Sequence, residues 1–144
     1  MADLSLPTYA VLGNHDVQKP GEDIRNELTA TLGKRGVTLL NNDVLAFPKR
    51  YLVGLGDHDG GEDNVLLLNK FHVADTVVVL THNPDTTLNY VNYNADLTLV
   101  GHTHCGQIRV PFIHNRLRQY IIPVDGDFDC GLTPTKYTQL LITP

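Results

Sequence analysis

Short apolar runs that end at a glycine or a polar residue recur along the chain, and they predict buried strands. Three such runs cover residues 9–12, 77–80 and 97–100. Aliphatic and β-branched residues over such a length are typical of strands that are covered on both faces. The full set of predicted strands is 8–12, 37–40, 44–47, 51–53, 76–80, 97–100 and 137–142, with 107–110 as a further candidate.

One longer segment has a helical period instead. Ile24, Leu28 and Leu32 lie four residues apart, so their side chains fall on one face of a helix. The segment 20–23 opens this helix and the glycine-rich segment 33–36 closes it, as is typical of helix ends. Shorter helices are predicted over 65–70 and 84–93, whereas residues 111–134 show little periodicity.

The order of these elements indicates an α/β fold, because strands alternate with helices along the chain. The closely spaced short strands between residues 37 and 53 add antiparallel or mixed pairing. A length of 144 residues with 42% hydrophobic residues predicts a single domain over residues 1–144.

Charge and composition exclude several classes of function. The net charge of -5 argues against a nucleic-acid partner that would be held by phosphate attraction. The chain has no apolar run long enough to cross a bilayer and no signal-peptide pattern at its start. The two cysteines predict free thiols rather than a disulfide scaffold. Together these features predict a cytoplasmic location.

Histidines follow three of the predicted strands. The sequence reads GNHD at 13–16, THNPD at 81–85 and GHTHCGQ at 101–107. Ligands collect outside the carboxyl ends of strands in open α/β sheets, and neutral imidazoles are good ligands for zinc, iron or nickel and acceptable ones for manganese. The pattern therefore predicts a metal site at one edge of the sheet.

Each of these histidines also has a simpler interpretation. A His-x-His pair such as His102 and His104 is often solvated or hydrogen-bonded rather than bound to metal. His15 and Asp16 could form an Asx turn after a strand. His82 could be a hydrogen-bonded histidine before a proline turn.

Taken together, the three motifs resemble the later motifs of the calcineurin-like metallophosphoesterases, and GHTHCGQIRVPF is similar to a bacterial branch that includes phosphodiesterases. The resemblance implies a sandwich of mixed β-sheets flanked by helices. It also implies hydrolysis of a phosphoester or phosphodiester by hydroxide bound to divalent Mn, Zn, Fe or Ni. The expected substrate is a phosphorylated small molecule or lipid.

Carried over by position, the resemblance assigns roles to six residues. Asn14, His82 and His102 resemble ligands of one metal, and His104 resembles a ligand of the second. His15 resembles the histidine that protonates the leaving oxygen, and Asp16 resembles the residue that orients it. The carboxylate in such a pair raises the basicity of the imidazole and fixes its tautomer.

The sequence also departs from the family pattern. Members begin with Asp-x-His and Gly-Asp-x-x-Asp motifs upstream of GNHD, and here GNHD is already at residue 13. We therefore expect a truncated sandwich, the C-terminal portion of the domain, with an incomplete dinuclear centre. The alternatives are a non-catalytic fragment and a mononuclear metal-binding module. An exposed sheet edge would favour a homodimer.

The acidic loop that contains Asp57 and Asp59 comes after GNHD, in the wrong order to supply the missing motif. These two residues either line the predicted pocket or lie in a solvated loop.

Overall fold

The computed structural model describes residues 6–17, 22–93, 95–104, 128 and 130–144. Its larger sheet contains strands β3 to β8, and a smaller sheet pairs β1 with β2 in parallel. The strand bounds are β1 Thr8–Ala10, β2 Val37–Leu39, β3 Asp43–Phe47, β4 Arg50–Gly54, β5 Thr76–Leu80, β6 Leu97–Val100, β7 Gly131–Pro134 and β8 Gln139–Ile142. The helices are α1 Asn14–Val17 and α2 Arg25–Gly33, with 3-10 helices at Val65–Lys70 and Pro84–Asn89.

The centre of the larger sheet is parallel. The strand order is β3-β4-β5-β6-β8-β7. The four inner strands run parallel to one another. The edge strands β3 and β7 each pair antiparallel with their neighbour. Backbone hydrogen bonds continue beyond the strands, from Thr81 N–H to Leu99 O and from Gly101 N–H to His82 O. The loops after β5 and β6 are therefore held side by side at the carboxyl edge of the sheet.

The main core lies on one face of this sheet. Strands β5 and β6 alternate buried and half-buried residues, as the period of two along a strand requires. The buried face packs against the first 3-10 helix and the segment around Tyr90. The buried residues of this core are Val53, Leu55, Leu68, Val77, Val79, Tyr90 and Ala95.

The smaller sheet meets the larger one at a glycine. A Cβ built on Gly54 would lie 2.2 Å from Cβ of Leu40, the buried residue that follows β2. Only a residue without a side chain permits this approach. The contact ties β1 and β2, and therefore the loop after β1, to the end of β4.

The predicted α/β class with mixed sheets is confirmed, and most predicted strands and helices are found within a few residues of their expected positions. Helix α2 begins at Arg25 rather than at residue 20, since Asp23 accepts a hydrogen bond from the Arg25 N–H just before it. Ile24 therefore precedes the helix and is 41% exposed. The candidate strand 107–110 lies outside the described residues.

Strand β7 and the short helix α1 were not predicted, and strand β8 is shorter than predicted. Strand β7 falls in the segment that shows little periodicity, because an edge strand needs no continuous apolar run. Strand β8 begins at Gln139 rather than at Tyr137, because the Thr135 hydroxyl accepts hydrogen bonds from the N–H groups of Tyr137 and Thr138 and holds them in a turn. The short helix α1 begins at Asn14, within the GNHD motif.

The prediction of free thiols is wrong for Cys130, which is disulfide-bonded. A disulfide is unusual in a reducing compartment, so the cysteines no longer support a cytoplasmic location. Within the described part of the chain, the structure shows no helix long and apolar enough to cross a membrane.

Candidate metal centre

Three loops bring polar side chains to one place at the carboxyl edge of the sheets. Asn14 follows β1, His82 follows β5 and His102 follows β6. Their closeness depends on Gly13, because a Cβ built there would lie 2.8 Å from three atoms of the His82 ring. The glycine of the GNHD motif therefore makes room for the imidazole of the THNPD motif.

The donor atoms of these three side chains converge. His82 Nε2 lies 3.1 Å from Asn14 Oδ1 and 3.1 Å from His102 Nδ1. The two imidazole rings meet edge to face, with centroids 4.9 Å apart and planes at 78°. The Nε2 atom of His82 thus lies equally close to an amide oxygen and to a second ring nitrogen.

Hydrogen bonding alone serves this arrangement poorly. The Nε2 atom of His82 carries either one proton or one lone pair, so Asn14 Oδ1 and His102 Nδ1 would have to share it in a weaker three-centre hydrogen bond. A cation would accept all three lone pairs together. Two ligand atoms that each lie about 2.1 Å from one cation, with a right angle between their bonds to it, are about 3.0 Å apart. This distance agrees with both observed separations. The three residues therefore fit a single divalent cation.

Burial favours the neutral form of both imidazoles. It lowers the pKa of His82 to about 4, helped by the neighbouring charge of His102 and opposed by Asp16 and Asp59. Burial likewise lowers the pKa of His102, while Asp59 and Asp57 oppose the shift. Neutral imidazoles offer the lone pairs that a metal ion requires.

The backbone of the GHTH motif is in an uncommon conformation. His102 has φ of 61° and His104 has φ of 48°, in the left-handed region that costs most residues about 1 kcal/mol or more. Such strain is often found at functional sites.

The remaining predicted site residues lie outside this convergent group. His104 and His15 are exposed. The Asp16 carboxylate accepts a hydrogen bond from the Gly13 N–H at 2.9 Å, and the Asp16 N–H donates to Gly13 O. These two reciprocal bonds between Gly13 and Asp16 span the start of α1.

The acidic loop after β4 approaches the same edge. Asp57 is buried and accepts from the Gly60 N–H at 2.9 Å; burial raises its pKa, against the effect of that hydrogen bond. Asp59 is exposed and accepts from Nδ2 of Asn83 at 2.9 Å. Asn83 was not among the predicted site residues, although its place after His82 was a signal that could have identified it.

Asn14 is needed to make up the site. No group of three or more His, Cys, Asp or Glu side chains in the described ranges is arranged to hold a metal ion. The amide oxygen of Asn14 supplies the third donor beside the two imidazoles. The resulting donor set carries no charge of its own.

Comparison with known proteins agrees with this geometry. Residues 1–106 match the family described as calcineurin-like phosphoesterase. The chain belongs to this family. The match ends within the GHTHCGQ motif, so all three histidine loops of the candidate centre lie inside it.

Curated relatives share the same region. The chain is 38% identical over 111 residues to phosphodiesterase YaeI of Escherichia coli, covering 74% of this chain and 40% of that protein. It is 33% identical over 113 residues to the uncharacterized metallophosphoesterase YkoQ of Bacillus subtilis, covering 72% and 39%. The uncharacterized metallophosphoesterase Cj0846 of Campylobacter jejuni is 33% identical over 132 residues, covering 86% and 33%.

The chain therefore spans about two fifths or less of the length of these relatives. No solved structure matches it. The resemblance seen in the three motifs is confirmed as family membership, and with it the relation to phosphoesterases in general.

Proposed function

We propose that Asn14, His82 and His102 bind one divalent cation and that the protein takes part in metal-dependent hydrolysis of a phosphoester or phosphodiester. One observation carries the proposal: side chains from three separate loops come together, with His82 Nε2 3.1 Å from both Asn14 Oδ1 and His102 Nδ1. Family membership and the name of the relative YaeI support the reaction class.

The bound cation would polarise a phosphoryl oxygen and lower the pKa of a coordinated water. Residues of this chain would hold the cation and supply a proton. Asn14, His82 and His102 hold the cation, and Gly13 leaves the space for the His82 ring. His15 lies one residue from Asn14 on the exposed side of α1, where its imidazole could give a proton to the leaving oxygen of a bound substrate.

The proposed substrate is a phosphorylated small molecule or lipid, as the resemblance to the family implies, and His15 and His104 are exposed where it could approach. Manganese or zinc suits two imidazoles and an amide oxygen, and iron or nickel would bind the same nitrogens.

A mononuclear metal-binding module is the second candidate. It is favoured by the donor set itself, which is neutral and has no bridging carboxylate among the described residues. Two divalent ions held close together without such a carboxylate would repel each other strongly. His104, exposed at the end of the same turn, is the remaining predicted ligand for a second ion.

The test is hydrolysis of a chromogenic phosphodiester by the purified chain with Mn²⁺. We expect turnover that depends on Mn²⁺ and falls by about 100-fold or more in His82→Ala, because loss of a ligand costs at least as much as loss of a supporting contact around the metal. His72→Ala is the matched control, since His72 is exposed and uses its backbone N–H, not its ring, to bond Asp75.

Elemental analysis of the same samples separates the candidates. Stoichiometric metal without turnover would indicate the binding module, and metal lost from His82→Ala but kept by His72→Ala would locate it. A chain that retains no metal and shows no turnover would contradict both candidates and leave a non-catalytic fragment.

A further inference from the structure

A buried amide joins the acidic loop to the loop that carries His82. Asn83 is 1% exposed. Its Oδ1 accepts from the Asp85 N–H at 2.9 Å, which caps the 3-10 helix Pro84–Asn89. Its Nδ2 donates to Asp59 Oδ1 at 2.9 Å. Both ends of one side chain are therefore used, one to shape its own loop and one to hold Asp59.

This bond decides where the Asp59 carboxylate lies. Asp59 is itself exposed, and an exposed carboxylate on a glycine-rich loop has many positions open to it. The bond from Asn83 holds the Asp59 carboxylate beside the residue that follows His82. The electrostatic influence of Asp59 reaches both His82 and His102, where it favours positive charge.

Asp57 has a different role in the same loop. It is 1% exposed and accepts from the Gly60 N–H, so it shapes the turn of residues 57–60. The carboxylate on the open side of the turn is that of Asp59. The three donors Asn14, His82 and His102 are neutral, and a divalent cation held by neutral donors gains from a fixed negative charge nearby.

We propose that Asp59 is a positioning residue of the cation site, held by Asn83 so that its carboxylate supplies the negative charge that the neutral donors lack. The inference rests on the proposed function, since it requires a cation at Asn14, His82 and His102. In this proposal Asp59 acts through its charge and its bond to Asn83, not as a ligand of the cation.

The test compares variants that separate charge from hydrogen bonding. Asp59→Asn keeps an oxygen that accepts from Asn83 but removes the charge, whereas Asp59→Ala removes both. Asp75→Asn is the matched control: it loses the same charge, its side-chain oxygen still accepts from the His72 N–H, and it lies before β5, at the opposite end of that strand from His82. Binding of MnCl2 is measured by isothermal titration calorimetry.

At low salt, we expect Asp59→Asn to bind Mn²⁺ about three- to tenfold more weakly than the unaltered chain, with Asp75→Asn unchanged. The difference should shrink between about 20 mM and about 500 mM salt, because salt screens an exposed charge. A purely structural role for Asp59 would not depend on salt. Asp59→Ala should also melt at a lower temperature without metal, whereas Asp59→Asn should melt like the unaltered chain.

The outcomes are distinguishable. If the unaltered chain binds Mn²⁺ and Asp59→Asn binds it equally well at low salt, this inference is overturned and the proposed function stands. If the unaltered chain binds no divalent cation, both are overturned. A loss of affinity in Asp59→Asn that does not change with salt would also overturn the role of charge.

Discussion

Gly13 has no side chain, and this absence determines where the His82 imidazole can lie. Because a Cβ at Gly13 would be 2.8 Å from ring atoms of His82, Gly13→Ala must push the ring away from Asn14 and His102. We expect Gly13→Ala to weaken binding of a divalent cation by about tenfold or more, since a misplaced ligand forfeits much of its bond. Calorimetric titration with Mn²⁺ measures the change.

Gly101→Ala is the control for this prediction. Gly101 also lies in the candidate centre, but a Cβ built there meets no described atom within 4 Å. Equal affinities in the two alanine variants would show that the Gly13 contact does not position His82.

The raised pKa of His58 predicts how the stability of the folded state changes with pH. Burial lowers its pKa, but the hydrogen bond to Asp63 at 2.7 Å and the charges of Asp63, Asp85 and Asp59 outweigh burial, so the pKa is raised above 6.5. A group whose pKa is raised in the folded state stabilises that state fully at low pH. The stabilisation is lost as the pH rises above 6.5 and through the folded-state pKa.

The measurement is thermal unfolding as a function of pH for the unaltered chain and for His58→Gln. We expect the stability advantage of the unaltered chain to be largest on the acid side of pH 6.5 and to decline above it. An advantage that grows with rising pH would show that the charged imidazole does not pair with Asp63 in the folded state.

The contact between the two sheets leads to a prediction for whole elements. Gly54 ends β4 and faces Leu40 after β2, with no space for a methyl group between them. We expect Gly54→Ala to destabilise the fold by about 1–3 kcal/mol, the usual cost of overpacking. Urea unfolding followed by circular dichroism measures it.

A second glycine provides the matched control. A Cβ on Gly33 at the end of α2 meets no described atom within 4 Å. Gly33→Ala should therefore leave the stability unchanged or raise it by about 0.5–1 kcal/mol. If both variants have the same stability, the two sheets do not pack through Gly54.

The elements that were predictable from sequence are those whose own residues decide their structure. Strands β5 and β6 are short aliphatic runs, and their positions were predicted to the residue. Strand β7 was missed because its pairing with β8 defines it, not its composition. The close contacts of Gly13 with His82 and of Gly54 with Leu40 were equally inaccessible, since they join residues far apart in the chain.

The candidate site was also predictable from sequence only in part. The strand ends indicated that histidines would lie at one edge of the sheet, and the resemblance of the motifs to the family assigned Asn14, His82 and His102 as ligands. The bond between Asn83 and Asp59 depends on how the loop after β4 folds, and that loop has no periodic pattern. The predicted roles of His15, Asp16 and His104 stay predictions.

At the scale of the molecule, a homodimer through a sheet edge stays a prediction, and β3 is the edge that suits it best. The other edge strand, β7, contains Pro134, which cannot donate to a new ladder. Strand β3 lies at the opposite end of the larger sheet, and its last residue, Phe47, is 50% exposed. Apart from Asp43 at its start, β3 carries no charged residue, and an edge with few charges can pair with a second copy.

Light scattering tests this association. We expect a mass above the 15.9 kDa of one chain at high concentration, reduced to one chain in Phe47→Lys because a charge blunts the edge. Leu132→Lys on β7 is the control and should still associate. A mass of one chain at all concentrations would contradict the prediction.

A single cation shared by Asn14, His82 and His102 is the central proposal. The direct measurement is an anomalous-scattering map of crystals soaked in MnCl2. We predict a peak within about 2.0–2.4 Å of Asn14 Oδ1, His82 Nε2 and His102 Nδ1. A map with no peak there at saturating Mn²⁺, or a peak bound by other residues, would contradict it.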